Sequence, residues 1–164
     1  PWLVLALFGG FISVHVLGIF EPVMDLHPEL FFFTPLIAAM AGNVGVQSSA
    51  IIVQGLANNT IIGPVVERLL KELSLSLLNG VILSVILLAG SYFLLGYEIH
   101  VGYTVSIALL SVIIMASLIG TFIPIILNKY GVDPALATGP FITTSNDILG
   151  ILTYFTIAKI ILGI

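Results

Sequence analysis

Residues 73–95 read LSLSLLNGVILSVILLAGSYFLL and contain no charged side chain. A helix needs about 20 mainly apolar residues to cross the hydrocarbon core of a bilayer. A strand of a membrane β-barrel would instead alternate apolar and polar residues in segments of about ten. The stretch is continuous and roughly twice that long, so it predicts a membrane-spanning α-helix.

The composition extends this interpretation to the whole chain of 164 residues. Hydrophobic side chains make up 59% of it and charged side chains only 7%. A soluble domain averages roughly a quarter charged residues, so this chain has too few to cover a surface that faces water. The composition excludes a soluble enzyme, a disordered chain and a nucleic-acid-binding protein, which needs a basic face. We expect membrane lipid to surround the protein.

Four further apolar runs end at charged residues or at turn signals such as Asn58-Asn59 and Gly63-Pro64. We therefore predict an all-α integral membrane protein with five transmembrane helices. A single transmembrane domain would occupy 1–164, with no soluble domain. The predicted helices are approximately 2–20, 30–56, 73–95, 101–127 and 134–164.

Basic residues indicate the orientation, because short cytoplasmic loops carry an excess of Lys and Arg. Arg68 and Lys71 lie between the second and third runs, and Lys129 lies between the fourth and fifth. We therefore expect a cytoplasmic N-terminus, an external C-terminus and a multi-pass location in the cell membrane. Lys159 is the exception, and its long stem can carry the charge to the outer headgroups.

Asp147 is the one charged residue near the middle of a predicted helix. Burying an unpaired carboxylate there costs at least about 2.5 kcal/mol, and intramembrane acids usually mark ion pathways. Gly139 and Thr143 share an i, i+4 row with Asp147, and Thr144 flanks it. We predict that Asp147 carries the function, and the alternative is a protonated Asp147 that serves packing alone.

Pro140 precedes this row in the last helix. A proline has no N–H, so the carbonyl of Leu136 would lose its helical partner. We expect the helix to kink there and to leave backbone oxygen available to a ligand or to water.

A second polar face lies in the second predicted helix, where Asn43, Gln47 and Gln54 follow each other at spacings of four and seven. Small residues and side-chain amides hold membrane helices together, so packing alone is one interpretation. It explains the amides less well, because each buried amide needs several hydrogen-bond partners. The small residues in this segment are Gly42, Gly45, Ser48 and Ser49.

The oxygen-bearing side chains of these two polar segments indicate a site for a hard cation. The sequence has no Cys, and carboxylate, hydroxyl and amide oxygens suit Mg²⁺ or Ca²⁺ better than a softer metal. Ca²⁺ takes six to eight oxygens, whereas Mg²⁺ keeps several waters and uses one or two carboxylates. Two chains related by a two-fold axis would present two Asp147 carboxylates to a hydrated Mg²⁺, which is our hypothesis for the site.

Three spaced motifs also resemble those of the MgtE-type magnesium channels and transporters. They are Pro35-Leu-Ile-(x4)-Gly42-Asn43-x-Gly45-x-Gln47-Ser48-Ser49, then Lys71-Glu72-Leu with Leu78-Asn79-Gly80, and Asp133-Pro134-Ala135-(x4)-Pro140-x-x-Thr143-Thr144-x-x-Asp147. With five predicted spans in matching order, the resemblance covers essentially the whole chain.

The resemblance implies a homodimeric, Mg²⁺-selective pore lined by the second and fifth helices. It implies that Asp147 binds hydrated Mg²⁺, that Asp133 helps to form an inner metal site or gate, and that Thr144 belongs to the pore segment. Gly139 departs from the family, since some members carry a side-chain amide there, so contact must come from backbone or water. Family members usually carry cytosolic regulatory domains, which these residues do not include.

Two other functions remain open from the sequence. The first is a proton- or sodium-coupled carrier of divalent cations with Asp147 as its coupling site. The second is a membrane anchor in which Asp147 serves packing only. An intramembrane enzyme is the least favoured class, because the sequence shows no Ser/His, His/His or paired-Asp arrangement at catalytic spacing.

Overall fold

The computed structural model describes residues 2–61, 63–137 and 139–163, and these ranges contain helices and turns but no β-strand. The predicted all-α class is therefore confirmed. In chain order the helices are α1 (Trp2–Ile19), α2 (Glu21–Leu26), α3 (Glu29–Ala57), α4 (Val65–Phe93), α5 (Ile99–Lys129), a 3-10 helix (Pro134–Ala137) and α6 (Pro140–Leu162).

Four helices in the described ranges are long and apolar enough to cross a membrane. They are α3 and α4 with 29 residues each, α5 with 31 and α6 with 23. The apolar helix α1 has 18 residues and extends about 27 Å, close to the thickness of about 30 Å of a hydrocarbon core. Each of the five predicted spans contains one apolar helix, whereas the orientation of the termini stays a prediction.

The start of α4 differs from the prediction. We predicted residue 73, but the helix begins at Val65, directly after Pro64 in an extended conformation. The charged residues that we assigned to a loop form its first two turns, and Lys71 Nζ donates to Glu67 Oε1 across one turn at 2.8 Å. A helix end at the surface of a membrane accommodates charges because their side chains still reach water.

The last predicted helix is wrong in its first part, because the chain breaks where we expected a kink. A 3-10 helix occupies Pro134–Ala137, and α6 begins only at Pro140. Between them Gly139 has a φ of 61°, a conformation that glycine adopts without the steric cost of a Cβ. Proline suits the first helical position, since its missing N–H has no partner there anyway. Pro140 therefore starts a helix instead of bending one.

α5 lies at the centre of the bundle and packs against α3, α4 and α6, while α1 packs against α6. The buried apolar core joins α3, α5 and α6 through side chains such as Ile37, Val112 and Phe155. Tyr154 Oη donates to the carbonyl oxygen of Leu30 at 2.9 Å, which ties α6 to the start of α3.

The surface of the bundle is apolar where a lipid bilayer would surround it. Leu3 and Phe8 of α1 and Ile82 and Ile86 of α4 are each at least half exposed. Such a surface would be unfavourable in water but is the normal exterior of a membrane protein, which agrees with the length of the helices.

Candidate ion-binding site

The contact between α3 and α6 places Asp147 beside the polar segment of α3. A Cβ at Gly42 would lie 3.6 Å from Asp147 Oδ1 and 3.1 Å from Thr143 Cγ2. Asp147 is partly exposed, so its carboxylate is not sealed inside one chain. The absence of a side chain at Gly42 therefore lets the carboxylate lie against α3, next to the position of Asn43.

Asn43 and Gln47 are exposed on α3, and Gln54 is exposed further along the same helix. Asn43 lies midway between the ends Glu29 and Ala57, which puts its amide deep within a membrane-spanning segment. Lipid cannot hydrogen-bond an amide, so polar groups at this depth face protein or a water-filled space. The exposed amides therefore mark a face of the bundle that lipid alone does not cover.

Thr143 and Gly139 form the first turn of α6. Thr143 Oγ1 donates to the carbonyl oxygen of Gly139 at 2.7 Å, and the backbone N–H of Thr143 donates to the same oxygen at 3.0 Å. A carbonyl oxygen has two lone pairs, so both are used at Gly139. Thr143 Oγ1 keeps its own lone pairs and can still accept a hydrogen bond from a water molecule.

The structure does not bring Thr144 together with Asp147. The methyl carbon of Thr144 contacts Gly9 of α1, so that a Cβ at Gly9 would overlap with it. Thr144 also lines a cavity of about 270 Å³ between α1 and α6, together with apolar residues such as Leu5 and Phe8. Its assignment to the pore therefore rests on the resemblance alone and stays a prediction.

Asp133 precedes the 3-10 helix and is exposed. Its Oδ1 accepts a hydrogen bond from the backbone N–H of Ala135 at 2.9 Å, in the manner of a residue that caps a helix N-terminus. Within the residues that the structure describes, no group of three or more His, Asp or Glu side chains could hold a metal ion. Among the described residues, one chain therefore supplies no ready-made cluster of three such ligands around Asp147.

Asn146 is a buried residue that the sequence analysis missed. Its side chain is fully buried against Gly45 of α3, and neither its nitrogen nor its oxygen has a hydrogen-bond partner among the described residues. The sequence holds a signal for it, because Ile142, Asn146 and Gly150 repeat at a spacing of four and all three are buried.

Glu72 is the second missed residue. The predicted third helix begins at residue 73 and leaves Glu72 outside it, but Glu72 is 8% exposed within α4. It accepts hydrogen bonds from Ser48 Oγ of α3 and Ser117 Oγ of α5. Small residues follow it at a spacing of four, and this row marks the buried face of α4. The row consists of Glu72, Ser76, Gly80 and Ser84.

Among the described residues, five apolar helices enclose buried polar groups and expose amides at mid-helix, and four of these helices are long enough to cross a membrane. They define a multi-span membrane protein. The family model of MgtE, described as a divalent cation transporter, matches residues 34–157. The chain therefore belongs to the MgtE family. The family model is that of a membrane transporter, and four of the described helices can cross a membrane, so the expected membrane location is confirmed.

Relatives with the name magnesium transporter MgtE match nearly the whole chain. The protein from Bacillus subtilis is 40% identical over 159 residues, which are 96% of this chain and 35% of that protein. The Thermus thermophilus protein is 33% identical over 98% of this chain, and the Enterococcus faecalis protein is 35% identical over 97%. The chain spans about a third of the length of these relatives.

Proposed function

We propose that the protein transports Mg²⁺ across the membrane through a pore between two copies of the chain. The observation that carries this proposal is the Asp147 carboxylate against Gly42 of α3, the residue that precedes Asn43 on the helix that also exposes Asn43 and Gln47. The relatives' name, magnesium transporter, supports Mg²⁺ as the ion.

The number of ligands favours a hydrated ion between two chains. Mg²⁺ gives up its water reluctantly and is commonly held through one or two carboxylates. The described residues of one chain hold no cluster of three or more ionisable ligands, whereas a two-fold pair would offer two Asp147 carboxylates to one ion. Water molecules bound to Mg²⁺ would donate hydrogen bonds to the carboxylate oxygens, because an ionised carboxylate accepts hydrogen bonds and donates none.

The exposed amides support a second copy as the partner of this face. Asn43 and Gln47 lie on the α3 side of the site and have both donor and acceptor atoms. Facing a water-filled pore between two copies, they would hydrogen-bond the outer waters of the ion, as would Thr143 Oγ1. Facing lipid, they would stay unpaired at a cost of several kcal/mol for each group.

Asp133 would act at the mouth of this path. It is exposed at the end of the chain segment that leads into the 3-10 helix, and an exposed carboxylate raises the local concentration of cations. The backbone conformation of Gly139 would set the start of α6 and so the position of Thr143. The contact of Thr144 with Gly9 would hold α6 against α1.

The experiment is Mg²⁺ uptake into liposomes that contain the full chain, compared with Asp147→Asn. We expect Asp147→Asn to reduce the uptake rate by about tenfold or more, because an amide loses the charge-assisted hydrogen bonds to the waters of the ion. Asp25→Asn removes an exposed acid on α2 and is the matched control, with an expected rate close to wild type.

Equal rates for Asp147→Asn and wild type would overturn the assignment of Asp147. A strict dependence of uptake on a proton or sodium gradient would replace the pore by a coupled carrier. Uptake that follows the membrane potential without either gradient supports the pore.

A further inference from the structure

A buried carboxylate outside the proposed ion path joins three helices. Glu72 of α4 accepts a hydrogen bond from Ser48 Oγ of α3 at 2.7 Å and another from Ser117 Oγ of α5 at 2.6 Å. Both hydroxyls donate to the same oxygen, Oε1, and the two serine oxygens lie 3.2 Å apart. We call these three residues the Glu72 cluster.

The Glu72 cluster is buried, and its carboxylate is the hydrogen-bond acceptor for both serines. Glu72 is 8% exposed, Ser48 5% and Ser117 1%, and the ion pairs of the described residues do not include Glu72. Each hydroxyl has a single proton, so when both donate to Glu72 they cannot bond each other. The carboxylate is therefore the acceptor that fixes both serines.

Away from the Glu72 cluster, towards the other end of the two helices, α3 and α4 are held apart. The N-terminal half of α3 and the C-terminal half of α4 line an apolar cavity of about 670 Å³, with Leu36 and Met40 on one side and Leu83 and Leu87 on the other. α4 packs instead against α5. The hydrogen bond from Ser48 to Glu72 is thus a direct polar connection between α3 and α4.

Ser48 follows Gln47 in the sequence, and the two side chains point in different directions. Ser48 is buried and held by Glu72, whereas Gln47 is exposed on the proposed pore face. Rotation of α3 about its axis would move both together, since neighbouring residues of a helix differ by a fixed angle. A bond that fixes Ser48 therefore also fixes the direction of Asn43 and Gln47.

We infer that Glu72 is a positioning residue, which sets the rotation of α3 through Ser48 and so aims the amides of α3 at the ion path. This inference rests on the proposed function, because it assigns α3 to the pore. It requires the acceptor oxygen of residue 72 and not its charge, so that a glutamine, whose amide oxygen also accepts two hydrogen bonds, would replace it.

The first test is Mg²⁺ uptake into liposomes by the full chain with Glu72→Ala and Glu72→Gln. We expect Glu72→Ala to lower the uptake rate by about tenfold, since losing a hydrogen bond to a charged group corresponds to about that factor. Glu72→Gln should stay within about threefold of wild type. The Mg²⁺ concentration for half-maximal uptake should rise in Glu72→Ala, which general destabilisation would not cause.

Ser74→Ala is the matched control, because the exposed hydroxyl of Ser74 bonds only to Leu70 within the same helix. If Glu72→Ala does not fold, the double variant Ser48→Ala with Ser117→Ala removes the same bonds and should show the same rise. Unchanged uptake in Glu72→Ala, or a loss in Glu72→Gln equal to that in Glu72→Ala, would overturn the inference.

The second test does not need transport. The sequence has no Cys, so Gln47→Cys gives a single thiol whose rate of reaction with a maleimide reports the direction of this side of α3. We expect Glu72→Ala to change that rate severalfold and Glu72→Gln to leave it unaltered. Equal rates in all three backgrounds would overturn the inference. A wild-type chain without uptake but with the expected labelling would contradict only the proposed function.

Discussion

Gly120 of α5 lies against the backbone of Gly45 in α3 at the closest approach of the two helices. A Cβ at Gly120 would overlap with the carbonyl oxygen of Gly45 and lie 3.1 Å from its carbonyl carbon and Cα. Since these atoms are backbone, they cannot rotate away. We expect Gly120→Ala to reduce the free energy of unfolding by about 1–3 kcal/mol and to lower the thermal midpoint in detergent.

Gly10→Ala in α1 is the control for this prediction. A Cβ at Gly10 would meet nothing within 4 Å, and alanine favours a helix more than glycine does. Its midpoint should equal or exceed that of wild type. If Gly120→Ala has the midpoint of Gly10→Ala, the close approach of α3 and α5 is wrong.

At the scale of helices, the start of α6 depends on the conformation of Gly139. Its φ of 61° and ψ of −128° are essentially restricted to glycine, and strain of this kind costs about 1–3 kcal/mol. We expect Gly139→Ala to lower the thermal midpoint and to slow Mg²⁺ uptake, because the strained turn would displace the first turn of α6 with Thr143. Gly90→Ala, where a Cβ meets nothing within 4 Å, should change neither. Uptake and stability of Gly139→Ala equal to those of Gly90→Ala would contradict it.

The helix ends show what the sequence can predict. We predicted α3 at 30–56 and α5 at 101–127, and the structure has Glu29–Ala57 and Ile99–Lys129. Both predictions are close because polar residues stand at both ends of these runs. The predicted start of α4 is wrong because we assigned the charged residues before residue 73 to a loop, although the end of a helix can carry charged side chains. The start of α6 was wrong because sequence alone did not distinguish a kink at Pro140 from a break at Gly139.

Some residues of the candidate site and its surroundings can be recognised in the sequence, whereas others depend on contacts between helices. Asp147 stands out in the sequence because a charge is rare within an apolar run. The role of Glu72 depends on Ser48 and Ser117, which lie 24 and 45 residues away along the chain. No spacing within one helix reveals such a contact. The same holds for Thr144, whose direction is decided by its contact with Gly9 of α1.

At the scale of the whole molecule, the two sides of the bundle differ in what can cover them. Apart from the exposed amide of Asn79, the side of α4 exposes apolar residues such as Ile82, which lipid satisfies. The side of α3 and α6 exposes Asn43 and Gln47 and part of Asp147, which lipid does not satisfy. Assembly through the second side would remove these polar groups from lipid and place two Asp147 carboxylates near one axis, so the surface argument and the ligand number lead to the same dimer.

The proposed dimer can be tested without a transport measurement. Asn43→Cys introduces one thiol on the α3 face into a chain without Cys, and in a two-fold pair the two thiols would face each other across the pore. A direct disulfide would need Cα atoms within about 7 Å, so a short bis-maleimide is the suitable reagent for two thiols on opposite sides of a pore. We expect it to convert Asn43→Cys in membranes mainly into a covalent dimer on a denaturing gel. Ile82 is half exposed on the surface of α4. Ile82→Cys should remain mainly monomeric under the same conditions, because only random collisions between chains would bring two of these thiols together. Equal cross-linking of the two variants, or none in Asn43→Cys, would mean that the amide face does not meet a second copy.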